Sequence, residues 1–212
     1  LGLDQRLHRT ELVDDQVGRM VDALVETGQL ENTMIIFMSD HGETLGDHGL
    51  IQKGCRFYEG LVRVPLIISW PEKVLSGVEN DALVELRDIA PMLLSLAGVD
   101  LPDWVDAPSL WPLLTGEKAP EEHRDFVRCE YYNALDMQDN TFATMFRDER
   151  YKLIVYHGHN LGEFYDLLQD PHEFSNLWDD QEHQAKKLEL IQRSFDASML
   201  AMDKGSPRIG PM

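Results

Sequence analysis

Apolar residues along this chain switch between two periods. From residue 11 to 28, Leu12, Val13, Val17, Met20, Val21 and Leu24 recur at helical spacing and Gly28 closes the segment, which predicts an amphipathic helix packing on a sheet. Asn32 and Thr33 then punctuate the start of a run over 34–38 that is too short for an ordinary helix, and the pattern predicts a buried strand. A glycine-rich loop over 42–60 leads to a second apolar run over 64–69, bounded by Pro65 and Pro71. Near-continuous apolar strands predict a sheet covered on both faces. Asp88 is placed to cap a helix whose first turn tolerates Pro91, and Gly98 with Pro102 marks its end. Strand, loop, strand and helix alternate as in an α/β layer.

The character changes near Lys118, where Ala119, Pro120 and a charged cluster mark a junction. Residues 126–132, 141–147 and 151–157 read as strands, with Asp148 and Glu149 turning the last two into a hairpin. Another strand is expected over 163–167, a helix over 182–200 through Leu188, Ile191 and Phe195, and an irregular tail over 205–212. Two domains follow from this reading, an α/β part over 1–118 and a smaller α+β part over 119–212.

Composition narrows the function. The chain has 38 Asp and Glu against 19 Lys and Arg, a formal net charge of −19. Such a field argues against nucleic-acid binding, and it also repels anionic substrates, so any site for one needs local cations. No apolar stretch is long enough to cross a bilayer. The two cysteines, Cys55 and Cys129, make neither a disulfide framework nor a zinc site. The sequence starts at Leu1, almost directly on a helix, which suggests the later part of a longer protein.

The candidate chemistry begins where the first strand ends, in Ser39, Asp40, His41, Gly42 and Glu43. Ligands of open α/β sheets gather at the carboxyl ends of strands, and Gly42 lets the backbone turn sharply after the polar pair. An Asp-His pair alone is equally consistent with a turn residue and a surface imidazole. It is followed, however, by Gly46-Asp47-His48-Gly49-Leu50, Lys53-Gly54, Phe57-Tyr58-Glu59-Gly60 and Arg63-Val64-Pro65-Leu66-Ile67-Ile68-Ser69-Trp70-Pro71. This ordered set closely resembles the second half of a type I sulfatase, within the alkaline phosphatase superfamily. The segment 11–24, the segment Arg87 to Leu94, and the late residues Phe164-Tyr165-Asp166-Leu167, Asp170-Pro171 and Glu173 to Leu177 extend the resemblance over nearly the whole chain.

The resemblance implies an α/β fold, part of an alkaline-phosphatase-like sandwich with a smaller carboxyl-terminal subdomain of antiparallel strands and a terminal helix. It implies that Asp40 and His41 are ligands to a divalent cation, usually calcium. The family often has Asn where this chain has His41. Because calcium prefers oxygen ligands whereas imidazole suits transition metals and zinc better, magnesium, manganese and zinc stay open beside the favoured calcium. Lys53 matches the family lysine that contacts the sulfate and stabilises charge as the ester bond breaks. His48 is a candidate for hydrogen bonding a sulfate or sugar hydroxyl, and a structural loop histidine is the competing reading.

The family's nucleophile is a formylglycine made from Cys or Ser in a Cys/Ser-x-Pro-x-Arg segment. Cys55 is followed by Arg56 and Phe57, and Cys129 by Glu130 and Tyr131, so neither fits. The resemblance therefore implies hydrolysis of a sulfate ester, of a sulfated sugar or an aryl alcohol, with the nucleophile and further ligands supplied by an amino-terminal part of the same protein and the fragment alone inactive. A periplasmic, secreted or lysosomal-type location goes with the family. Two alternatives remain: a phosphonate or phosphate monoester hydrolase of the same superfamily, and a non-catalytic binding or assembly module. Arg63 is expected to pair with an acid such as Glu59. His157 and His159 read as surface residues, and Trp104, Trp111 and Trp178 as packing residues unless an exposed one stacks on a sugar ring.

Overall fold

The computed structural model describes residues 3–133 and 141–202, which form two compact units. The tail read as irregular, 205–212, lies outside the described residues. Among them no helix is long and apolar enough to cross a membrane.

The first unit comprises the chain up to Ser39 together with Pro65–Glu79. It holds helix α1 (Leu3–Glu26) and strands β1 (Ile35–Met38) and β2 (Leu66–Ser69), which pair antiparallel with Ile35 opposite Ser69 and Met38 opposite Leu66. Trp70 pins the exit of β2 by donating its indole N–H to the Glu31 carbonyl at 3.1 Å. The apolar faces are only partly used within the unit. On α1, Val17, Val21 and Leu24 are half-buried at helical spacing, whereas Leu12, Val13 and Met20 are exposed, and Ile67 on β2 is 61% exposed. The expectation of strands buried on both faces is thus not met by the described residues. The pattern recorded strand identity, which depends on β-branched and apolar residues, but not what layer covers the strand.

The second unit comprises residues 40–64 and the described residues from Asn80 onward. Its centre is a four-stranded antiparallel meander, β3 (Val127–Tyr132), β4 (Phe142–Arg147), β5 (Tyr151–Tyr156) and β6 (Leu161–Asp166). The turn joining β4 and β5 forms because the Asp148 carboxylate accepts the backbone N–H groups of Arg150 and Tyr151, at 3.0 and 2.8 Å, the local bonding that suits Asp to turns. Side chains alternate across the sheet. Phe146, Leu153 and Phe164 point to one face, where helix α5 (Gln184–Leu200) covers them with Leu190 and Ala197. Met145, Ile154, Tyr156 and Tyr165 point to the other, where Phe57 and Tyr58 of the glycine-rich loop close over them. Burying each of these large side chains contributes about 1.5–3 kcal/mol. The sheet is therefore the floor on which the candidate loop rests.

Three shorter helices complete the unit: α2 (Glu59–Val62), α3 (Ile89–Leu96) and α4 (Trp111–Thr115). Asp88 precedes α3 as expected, but its side chain makes no cap bond. Its carboxylate instead accepts the Glu85 backbone N–H at 2.8 Å, the His123 Nε2–H at 3.2 Å and the Arg124 guanidinium. A fully buried carboxylate needs such partners more than the helix needs a cap. Trp104 is 82% exposed, so it is not a packing residue, whereas Trp178 lies flat against Gly162.

Candidate active site

The loop from Gly42 to Lys53 is a closed turn. Thr44 is buried and donates its hydroxyl to the Gln52 carbonyl at 3.0 Å, while the Gly46 N–H reaches the Leu50 carbonyl at 2.7 Å and the Asp47 N–H the Thr44 carbonyl at 2.8 Å. Leu45, Gly46, His48 and Gly49 all have positive φ, which reverses the chain within a few residues. This reversal returns Lys53, next to Gln52, to the start of the loop.

The two ends meet at His41. Its Nδ1 lies 2.8 Å from the Gly42 carbonyl, so Nδ1 carries the proton, and Nε2 presents its lone pair. Lys53 Nζ sits 2.7 Å from that nitrogen, and Asp40 Oδ2 is 3.6 Å from it. Carboxylate, imidazole and ammonium therefore converge. Asp40 accepts the His41 backbone N–H at 2.9 Å. That bond first, and the Lys53 ammonium after it, hold its carboxyl below the ordinary range, so it is anionic at neutral pH.

The turn is also clipped from behind. Gly42 donates its N–H to the Leu61 carbonyl at 2.8 Å, and a Cβ on Gly42 would fall 1.9 Å from the Gly60 carbonyl oxygen. Only glycine permits that approach. α2 thus lies against the segment that carries Asp40 and His41.

His48 occupies a different part of the loop. Its ring stacks on Tyr58 at 3.7 Å between centroids, 5° from parallel. With Thr44, Asp47, Pro171 and His172 it lines a small cleft of about 60 Å³, far below the roughly 300 Å³ at which small-molecule sites begin. Its left-handed backbone, φ 54°, is held by this packing. Glu59, expected to pair with Arg63, has its close ion pairs with Lys152 at 2.6 Å and Arg147 at 3.4 Å.

Sequence reasoning passed over a second polar group under the loop. Arg56 donates to the Tyr156 hydroxyl at 2.7 Å, and Tyr156 and Tyr165 donate to the two oxygens of Glu163 at 2.7 and 2.9 Å. Burial, followed by the Glu163 charge, pushes both phenols far up and keeps them neutral. Lys152 was missed as well. The signal was a lysine in phase with Ile154 and Tyr156 on the inward side of an apolar strand.

Chemically, the donor set fits part of a divalent-cation site: an ionised carboxylate beside an imidazole whose Nδ1–H is already fixed, the usual second-sphere arrangement for a metal-binding His. Among the described residues no group of three or more His, Cys, Asp or Glu is close enough to hold a metal ion.

The profile of N-sulphoglucosamine sulphohydrolase, C-terminal, matches residues 46–198, more than half of the chain. The chain belongs to the type I sulfatase family of the alkaline phosphatase superfamily. An N-acetylglucosamine-6-O-sulfatase of Bacteroides thetaiotaomicron is 36% identical over 183 residues, 85% of this chain and 32% of the relative. A protein solved in complex with its substrate D-glucosamine-2-N,6-O-disulfate is 33% identical with a TM-score of 0.82, covering 91% of this chain and 39% of that one. A phosphonate monoester hydrolase from Silicibacter pomeroyi is 31% identical with a TM-score of 0.78, over 91% and 40% of the two chains. This sulfatase chain thus spans about a third to two fifths of the length of the relatives it matches. The sheets and terminal helix described above are its share of the sulfatase α/β fold.

Proposed function

We propose that this chain supplies half of the active site of a sulfatase that hydrolyses sulfate esters of sugars. The observation that carries the reading is the convergence of Lys53 Nζ and Asp40 Oδ2 on His41 Nε2, at 2.7 and 3.6 Å. In this reading Asp40 and His41 hold a divalent cation, calcium first and magnesium, manganese or zinc as alternatives, together with ligands from the rest of the protein. Such a cation, when bound, neutralises sulfate oxygens and polarises the ester. Lys53 brings an ammonium to the same place, where it binds the anionic ester against the chain's net charge of −19 and stabilises the negative charge that develops on bond cleavage. His48, its ring face taken up by Tyr58, offers only edge nitrogens to a sulfate or sugar hydroxyl.

The formylglycine nucleophile belongs, in this proposal, to the remaining length of the protein, and the chain alone is inactive. The sugar substrate is carried over from the glucosamine-sulfate relatives, and a periplasmic, secreted or lysosomal-type setting goes with the family. The likeness to a phosphonate monoester hydrolase supports a second reading, in which the same Asp40, His41 and Lys53 serve a phosphonate ester.

Rates of the complete protein on 4-nitrophenyl sulfate and phenyl 4-nitrophenyl phosphonate, with and without Asp40→Ala, test both. Faster sulfate hydrolysis that Asp40→Ala abolishes is expected. The reverse ratio transfers the site to phosphonates. An Asp40→Ala protein as active as its parent removes both readings and leaves a non-catalytic module.

A further inference from the structure

A buried ion cluster stands behind α2. Lys152 is the second residue of β5 and has a fully buried side chain, in surroundings where an ammonium persists only with charged and hydrogen-bonding partners. Its Nζ donates to the Phe57 carbonyl at 2.8 Å and to Glu173 Oε1 at 2.6 Å, and lies 2.6 Å from Glu59 Oε1. The other Glu173 oxygen accepts the backbone N–H of Glu59, the first residue of α2, at 2.7 Å. Arg147 Nε, 3.4 Å from Glu59 Oε1, balances the cluster at two cations and two anions. Glu173 holds φ 60°, a left-handed conformation that a residue with a side chain keeps only when its surroundings impose it.

The anchored backbone is that of residues 57–59, and one turn later Leu61 accepts the Gly42 N–H at 2.8 Å. Two residues remote in sequence, Lys152 and Glu173, are thereby connected through α2 to the turn bearing Asp40 and His41. We propose that Lys152 and Glu173 are positioning residues that set the Asp40-His41 turn for its divalent cation. Neither reaches that turn directly. They hold α2 in place, and α2 holds Gly42. The proposal rests on Asp40 and His41 being metal ligands.

The test is calcium affinity of the metal-stripped complete protein, read by titration calorimetry with calcium chloride as the probe, on variants shown folded by circular dichroism. Removing one buried charge leaves the other unpaired and endangers folding, whereas replacing both with apolar residues is tolerated better. The main variant is therefore the double Lys152→Met/Glu173→Leu, with Glu173→Gln as a milder second. Both are expected to weaken calcium binding tenfold or more, and to raise the calcium needed for half-maximal turnover while kcat at saturating calcium recovers. Lys152→Arg, which keeps the charge, is expected to retain most of the affinity. A role limited to stability would lower the melting temperature and leave the calcium Kd unchanged, and that result in either folded variant overturns the proposal. Asp40→Ala separates the two layers. If it abolishes calcium binding while the double variant binds as the parent does, the positioning role alone fails; if it leaves binding intact, the metal-ligand reading fails and this inference with it.

Discussion

Lys53 Nζ lies 2.7 Å from Nε2 of His41, and the opposite ring nitrogen is committed to the Gly42 carbonyl at 2.8 Å. The ammonium therefore occupies the one lone pair that the imidazole has to give. A divalent cation requires that same lone pair. If His41 is a metal ligand as proposed, Lys53 would have to give up this contact when a cation is held there, and its ammonium would be left to meet an anionic ester. On that proposal the binding of cation and of anionic ester would support one another.

Lys53→Met separates these effects. In the complete protein it is expected to lower kcat on 4-nitrophenyl sulfate by about 10² to 10³, the usual cost of one charge-stabilising donor. Calcium affinity should hold or rise, because the competing ammonium is gone. Steady-state kinetics and calorimetry on the same preparation check the two halves; a variant that lost calcium affinity in step with turnover would place Lys53 in the metal site itself.

Gly42 and Gly60 make a contrasting pair. A methyl on Gly42 meets backbone, the Gly60 oxygen at 1.9 Å and the Leu61 Cα at 3.1 Å, whereas the nearest atom to a methyl on Gly60 is Asp47 Oδ2 at 3.6 Å. Gly42→Ala is expected to cost about 1–3 kcal/mol or more and to weaken calcium binding. Gly60→Ala should change stability by less than about 0.5 kcal/mol. Calorimetric melting of both variants decides, and equal melting temperatures would contradict the close backbone approach.

The strands of the second unit were legible because their alternation is strong: Phe146, Leu153 and Phe164 face α5 while their neighbours Met145, Ile154 and Tyr165 face the loop. Asp40, His41 and Lys53 were legible as a set because one compact loop joins them. What could not be read was long-range pairing. Nothing local says that Lys152 meets Glu59 and Glu173, or that Asp88 leaves its helix for His123 and Arg124; only folding brings these charges together. The exposed Trp104 shows the opposite limit, since bulk and apolarity describe a residue and not its neighbours.

Trp178 and Gly162 test the far side of the sheet. The indole would overlap a Gly162 methyl at 2.1 Å, and it cannot swing away freely: Lys187 lies over its ring at 4.4 Å and the Trp178 backbone N–H donates to Asn176 at 3.0 Å. Gly162→Ala is expected to destabilise by about 1–3 kcal/mol. Trp178→Leu in the same chain should recover part of that loss by vacating the space. Additive losses in the double variant would show that the two residues do not share that space.

Acid sensitivity should originate in the cluster beneath the loop. Burial pushes the Glu59 carboxyl up, but the Lys152 ammonium, seconded by Arg147, more than offsets this and holds it below the ordinary range. A carboxyl depressed in the folded state contributes stability that is complete above its unfolded value of about 4.3 and disappears as pH falls through the lower folded value. The fold is therefore expected to be insensitive to pH between about 5 and 7 on this account, and to weaken below about 4.3. Glu59→Gln should be less stable than the parent at neutral pH, with the gap narrowing as the parent's own Glu59 takes up a proton. Melting temperatures of both proteins from pH 7 down to 3 measure that gap, and a constant offset across the series would mean that the Glu59 side chain acts through packing and neutral hydrogen bonding rather than through its charge.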